Sequence, residues 1–396
     1  FKPLPFDFTR ASSATVVNKD GLIETVGSGE PRIDFKDDAN GALLLEPQRS
    51  NLLIQSSDFT SSEWTKSNLT LETNSIVSPD GTLTATKLLE TTTSLAHLLY
   101  DEKSGTTPNS SYNFNIFVKK LNRRYVGIQS IAAASQSATA FFDLDNGVLL
   151  YTFATGTGYS VSNAKIEEYS NGWYRLSATF TTPTSVNYPN ICLADSEWTT
   201  GSSYNNYYTG DVTKGIYVWG GQYEQGSYAT SYIPTQGSVV TRVADACNNG
   251  GNEQVINSTE GVLYAQISTF STSGSAGLIS LSDATISNRV TIELDGANIK
   301  VRFIVGGSSI GIFNYAANIT DISKIAAKFS ENYFALWVNG TERVAITSGS
   351  IFSTNTLSEL SFDRGDDGED FYGNVKDVRV YNTALTDSEL AALTKI

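Results

Sequence analysis

The chain of 396 residues contains no methionine, one histidine and two cysteines. A single histidine, His97, leaves any Ser-His-Asp or Cys-His arrangement only one possible base, and its apolar setting between Ala96 and Leu98 points to packing instead of proton transfer. The cysteines, Cys192 and Cys247, lie far apart with no C-x-x-C or histidine-containing spacing, so they cannot form a zinc site on their own, and whether they pair is left open. No apolar run approaches the roughly 20 residues of a membrane helix, and residues 1–10 lack the basic and apolar regions of a signal peptide, so membrane insertion is not expected. With Phe1 in place of a methionine, we expect a processed product or part of a longer polypeptide.

Charge is also scarce. Charged residues are 17% of the chain, and 27 Lys and Arg stand against 41 Asp and Glu for a net −14. The basic residues form no run, the densest cluster being Lys119, Lys120, Arg123 and Arg124. Nucleic acid and anionic membrane surfaces are therefore poor partners.

What fills the chain is Ser, Thr, Asn and Gly beside 40% hydrophobic residues, the composition of a β protein with many turns. Its length exceeds the roughly 250–300 residues at which a single core stops growing, so two domains are expected. Tyr112, Phe114, Ile116 and Val118 alternate with polar residues, as do Tyr174, Leu176, Ala178 and Phe180, which is the period of half-buried antiparallel strands. The run 215–224 is apolar on both alternations and reads as a central strand covered on both faces. Further strands are expected at 262–267, 290–294, 299–305 and 333–338, with Asn339-Gly340 as a type I′ hairpin turn into 344–346. Thr386 and Glu389 are spaced as a capping box ahead of Leu390 and Leu393, which predicts one short C-terminal helix. The expected fold class is all-β, with two antiparallel β-sandwiches (jelly rolls) in tandem: an extended leader at 1–57 packing on a neighbour, a first sandwich at 58–236, a linker at 237–252 and a second sandwich at 253–396.

Three segments resemble known families. Phe8-Thr9-Arg10-Ala11-Ser12-Ser13-Ala14-Thr15, Asp20-Gly21-Leu22-Ile23-Glu24, Pro31-Arg32-Ile33-Asp34-Phe35 and Leu45-Glu46-Pro47-Gln48-Arg49-Ser50-Asn51-Leu52 resemble a segment recurrent in phage tail proteins. Asn171-Gly172-Trp173-Tyr174-Arg175, with 217–224 and Tyr232-Ile233-Pro234-Thr235, looks like the carbohydrate-binding jelly rolls that follow such leaders. Leu336-Trp337-Val338-Asn339-Gly340 and 372–382 are similar to concanavalin A-like lectin domains of the laminin G and pentraxin type. Together these resemblances imply jelly rolls that bind glycans or receptors, and a homotrimer, but function has to be argued from sites.

Sugar recognition needs flat apolar faces beside amides and carboxylates. Glu197, Trp198, Tyr204, Asn206, Tyr207 and Tyr208 cluster among small residues in an expected loop, and Trp64 is a candidate to flank the same surface. Trp173, Trp219 and Trp337 fall inside strand patterns and are expected in the core. The acidic run 363–370 offers Asp366, Asp367 and Asp370 as candidate calcium ligands, although it fails the EF-hand spacing. No other cofactor is expected. A glycosidase of this fold carries Glu-x-Asp-x-Glu on one strand, whereas Glu293-Leu294-Asp295 runs into Gly296-Ala297, a hairpin turn expected to leave those carboxylates at a loop. We therefore expect a non-enzymatic receptor-binding protein of a phage tail fibre that contacts bacterial surface glycans and other virion proteins. A bacterial surface or secreted adhesin, a polysaccharide depolymerase and a structural virion decoration are the alternatives.

Overall fold

The computed structural model describes residues 6–133, 136–196, 206–272 and 275–396. The chain is nearly all β, built of antiparallel sheets with one α-helix among the described residues. It forms two compact units, named here for their place in the sequence: a middle unit of 14–25 and 48–242, and a terminal unit of 26–47 and 243–396 together with the residues up to Ser13.

In the middle unit Ser111–Lys120 lies at the heart of a sheet, flanked by Trp173–Thr181 on one side and by Gly215–Gln225 on the other. Its period-two pattern works on both faces. Tyr112, Phe114, Ile116 and Val118 enter the main core with Leu99, Ile128 and Phe142 of the opposing sheet, whereas Phe117 points the other way and packs with Trp173, Trp219 and Tyr232. The strand Gly215–Gln225 is central and covered on both faces, as its apolar run predicts. The opposing sheet is centred on Tyr125–Ala133 and Val186–Ala194.

The terminal unit packs a sheet centred on Glu260–Ser268 against a five-stranded sheet ordered Ser308–Ala316, Asn298–Val305, Arg289–Asp295, Ser275–Ser282, Glu359–Ser361. Val290, Ile292 and Leu294 alternate into the core with Ile299, Val301 and Phe303, while Arg289, Thr291 and Glu293 take the outer face, as strand geometry requires. The hairpin at Asn339 (φ 50°) and Gly340 (φ 82°) has both central residues left-handed, as a type I′ turn demands. The helix Asp387–Thr394 carries the expected capping box on Thr386 and Glu389 and seats Leu390 against Val262, Tyr264 and Trp337. Trp173, Trp219 and Trp337 are all buried, as expected.

Residues of the expected leader and linker form short paired strands. Asp7–Thr9 pairs with Ala246–Asn248, and Ala42–Leu45 is a strand of the Glu260–Ser268 sheet with Leu45 in its core. Arg49–Asn51 pairs with Val240–Arg242 in the middle unit. These strands are three or four residues long, too short for a period to show in the sequence. In the terminal unit the buried Asp245 carboxylate joins Arg10 at 3.0 Å and also binds Arg32, which meets Glu46 at 2.6 Å. Arg10, Arg32 and Glu46 of the N-terminal motifs thus form one desolvated ion network with Asp245. Cys192 and Cys247 are unpaired and buried, and burial pushes both thiols up to about 12.

Candidate functional site

Of the aromatic candidates, Glu197, Trp198 and Tyr204 lie outside the described residues. Asn206 and Tyr207 are described, and Tyr207 is 52% exposed. Tyr208 is not a sugar platform. It is buried, its hydroxyl donates to Glu90 Oε1 at 2.5 Å, Arg123 stacks over its ring at 5.0 Å, and the His97 ring lies 4.7 Å away. Arg123 also holds the Glu90 carboxylate, and that carboxylate lies below its ordinary range although burial works to raise it, because Arg123, Tyr208 and the Asp211 amide all donate to it. Tyr208 therefore anchors the chain segment that presents Tyr207. His97 itself is buried, with Nε2 3.1 Å from the Thr91 carbonyl oxygen and Nδ1 without a partner among the described residues.

Trp64 is also corrected. Its indole is 1% exposed, donates to the Gln55 carbonyl at 2.8 Å and packs edge-on against Phe59. The strand Trp64–Ser67 turns this residue inward, a direction that its polar neighbours in the sequence concealed.

A concave feature of the middle unit lies elsewhere. A cleft of about 930 Å³ is bounded by the strand at Arg49, the loop 102–111 and the turn 225–227. The loop is held in place: Tyr112 Oη accepts from the Thr107 amide at 2.9 Å, Thr106 Oγ1 accepts from Asn187 Nδ2 at 2.7 Å, and the Asn109 amide donates to the Thr182 carbonyl at 2.7 Å. Arg49 spans the opposite wall, its guanidinium 5.6 Å from the centre of the Tyr228 ring. A Cβ on Gly226 would stand 2.8 Å from Arg49 Nε, so only glycine lets the arginine lie this close to the turn. Hydroxyls from Ser50, Ser104, Thr107 and Ser110 line the cleft, and Glu102 is its one carboxylate. Sequence patterns missed this site because its parts come from three distant segments and contain no aromatic cluster.

In the acidic loop of the terminal unit, which carries the candidate calcium ligands, Arg364 pairs with the carboxylates of Asp366 and Glu369. Both Asp366 carboxylate oxygens accept from Arg364, at 2.9 and 2.8 Å, and Asp370 accepts from Tyr372 at 3.1 Å. Among the described residues no three His, Cys, Asp or Glu side chains converge as a metal site. Beside the loop, Glu293 is a buried strand residue ion-paired with Arg302 and 3.7 Å from Lys300 Nζ, not a loop carboxylate as expected. The turn after it does form, with Asp295 opposite Asn298.

Residues 257–391 match the family model of the Laminin_G_3 domain, of the concanavalin A-like lectin/glucanases superfamily. No curated protein matches the chain. Similar solved structures include the CBM40 of Ruminococcus gnavus IT-sialidase bound to alpha2,3 sialyllactose, with a TM-score of 0.32 and 16% identity over 37% of this chain and 93% of that one. A SAP-like pentraxin from Limulus polyphemus has a TM-score of 0.30 and 12% identity over 37% and 74% of the two chains. Domains LG4-5 of the mouse laminin alpha1 chain have a TM-score of 0.25 and 12% identity over 74% and 90%.

Proposed function

We propose that this protein is a glycan-binding recognition protein of a phage tail, which attaches to carbohydrate on a bacterial surface without cleaving it. The observation that carries the reading is the cleft at Arg49. It is open, preformed and lined by hydroxyls, with the Arg49 guanidinium, the Lys103 ammonium and the Glu102 carboxylate, which suits a ligand made of hydroxyl groups. Hydrolysis of a glycosidic bond calls for two carboxylates flanking one bond, and Glu102 stands alone in the cleft. The lectin-type match at 257–391 and the phage-tail resemblance of the N-terminal motifs support the same reading. Asn206 and the exposed Tyr207 offer a second contact surface, and a homotrimer would strengthen sites that are weak singly.

The test is binding of the full chain to a glycan array and to host cells, with the supernatant assayed for released sugars. Arg49→Ala is expected to weaken binding about tenfold, the loss of one charge-assisted contact, and chelation of divalent cations is expected to leave binding unchanged. Released reducing ends would establish a depolymerase instead. Binding to nothing on array or cell would leave a structural virion role.

A further inference from the structure

The outer face of the five-stranded sheet in the terminal unit carries three guanidinium groups close together, and they are not equivalent. Arg302, on Asn298–Val305, is paired with Glu293, which also accepts from Thr291 Oγ1 at 3.0 Å. Arg364, from the loop 363–370, is paired with Asp366 at 2.8 Å and Glu369 at 2.7 Å. Arg289, on Arg289–Asp295, is half-buried between them, and its Nε and Nη1 find no acceptor among the described residues.

Strand register explains the arrangement. Thr291 stands opposite both Ser280 and Arg302, and Arg289, two residues before Thr291, projects from the same face opposite Ser282. The loop then delivers Arg364. The Leu278 amide donates to the Glu369 carbonyl at 3.2 Å, and a Cβ on Gly365 would lie 2.8 Å from Ser282 Oγ, so the loop lies directly on this sheet. Burial, joined by the like charges of Arg364 and Arg302, holds the Arg289 guanidinium below its ordinary pKa against the opposing pull of Glu293 and Asp366. A folded protein gains little from a half-buried guanidinium that leaves two nitrogens without an acceptor beside two arginines whose carboxylates are already engaged. Such a group is favourable when an anion completes it, and functional sites are where this cost is found.

We propose that Arg289, flanked by Arg302 and Arg364, is a subsite for the acidic group of a glycan, a carboxylate or a sulfate ester. The planar fork of Arg289 has the geometry for two parallel bonds to such a group. Arg302 and Arg364 are 32% and 34% exposed and frame the approach. Ile312, 46% exposed and opposite Arg302, offers an apolar contact for the sugar ring beside the charge. The net charge of −14 gives the molecule no general attraction for acidic polymers, so binding of one has to be local. The inference rests on the glycan-binding reading for the carrier of the anion, but it concerns a different unit and different residues from the cleft.

The experiment measures affinity of the full chain for hexagalacturonate, a sulfated hexasaccharide and neutral cellohexaose, with thermal unfolding of each variant alongside. Arg289→Met is expected to weaken binding of at least one acidic hexamer about tenfold while the thermal midpoint stays level or rises. Binding of both acids assigns a general anion subsite, and binding of one names carboxylate or sulfate. Arg289→Lys, which keeps the charge and loses the fork, should retain only part of the affinity, and it decides the matter if the Met variant does not fold. Arg49→Ala should leave the acidic increment intact, so failure of the cleft reading and failure of this one appear in different variants. Acidic and neutral hexamers binding alike, or a loss of thermal stability in both Arg289 variants, would overturn the proposal.

Discussion

Two aromatic residues singled out together have opposite fates. Trp64 fills the middle core and satisfies its indole N–H on Gln55, whereas Tyr207 remains 52% exposed. Truncating a buried tryptophan forfeits both its transfer free energy and the packing of its surroundings. Trp64→Ala is therefore expected to cost about 3–5 kcal/mol in urea unfolding, and Tyr207→Ala no more than about 0.5 kcal/mol. If Tyr207 contributes to ligand contact, its variant loses affinity at unchanged stability, a separation that Trp64 cannot show.

At the scale of an element, the loop 363–370 is a charged flap laid on a sheet, and its acidic residues do different things. Asp366 is held below the ordinary carboxylate range, chiefly by hydrogen bonds from Arg364. Asp363 is almost fully buried, and burial, with the like charges of Asp367, Glu359 and Asp370, pushes its carboxyl up to about 6 against the hydrogen bond from the Gly365 amide. A carboxyl whose folded pKa is raised holds its proton longer in the native state than in the unfolded one, so it favours folding at low pH. That contribution is lost as pH rises from about 4 to about 6 and does not change above. Asp363→Asn keeps an acceptor for the Gly365 amide and removes the charge. The difference in unfolding free energy between variant and parent should be near zero at pH 4 and, discounted for partial solvent screening, about 1 kcal/mol in favour of the variant at pH 7. Equal pH profiles for the two proteins would refute this assignment.

At the scale of the whole molecule, the terminal unit is assembled from pieces far apart in sequence, and Asp245 ties three of them through Arg10, Arg32 and the Glu46 amide, which donates to it at 2.8 Å. Removing one partner from a buried ion network leaves the others desolvated and unpaired. Asp245→Asn is expected to cost about 3–5 kcal/mol, read as a lowered denaturant midpoint, whereas a double change of Lys87 and Glu72, an exposed pair 2.8 Å apart, should be nearly silent. The strand Ala42–Leu45 belongs to the same sheet as Gly373–Tyr381, so a fragment beginning at residue 243 lacks both a sheet strand and the buried Leu45. That fragment should unfold less cooperatively than the intact chain.

Local pattern alone determined the all-β class, the central strand at 215–224, the Asn339-Gly340 hairpin, the capped C-terminal helix and the burial of Trp173, Trp219 and Trp337. Each is written in neighbouring residues, through a period of two, a turn that needs two left-handed residues or a cap spaced by one helical turn. Only the tertiary structure decided that Trp64 and Tyr208 turn inward, that the leader is shared between two units, and that Arg364 occupies the acidic loop. It also decided where Arg49 meets the loop 102–111 and where Arg289 is left without an acceptor. These outcomes depend on which strands pair across tens to hundreds of residues, and a strand of three residues carries too few side chains to announce its partner. Burial of a polar group and the company it keeps are properties of that pairing, so the binding chemistry proposed here becomes visible only after the sheets are assembled.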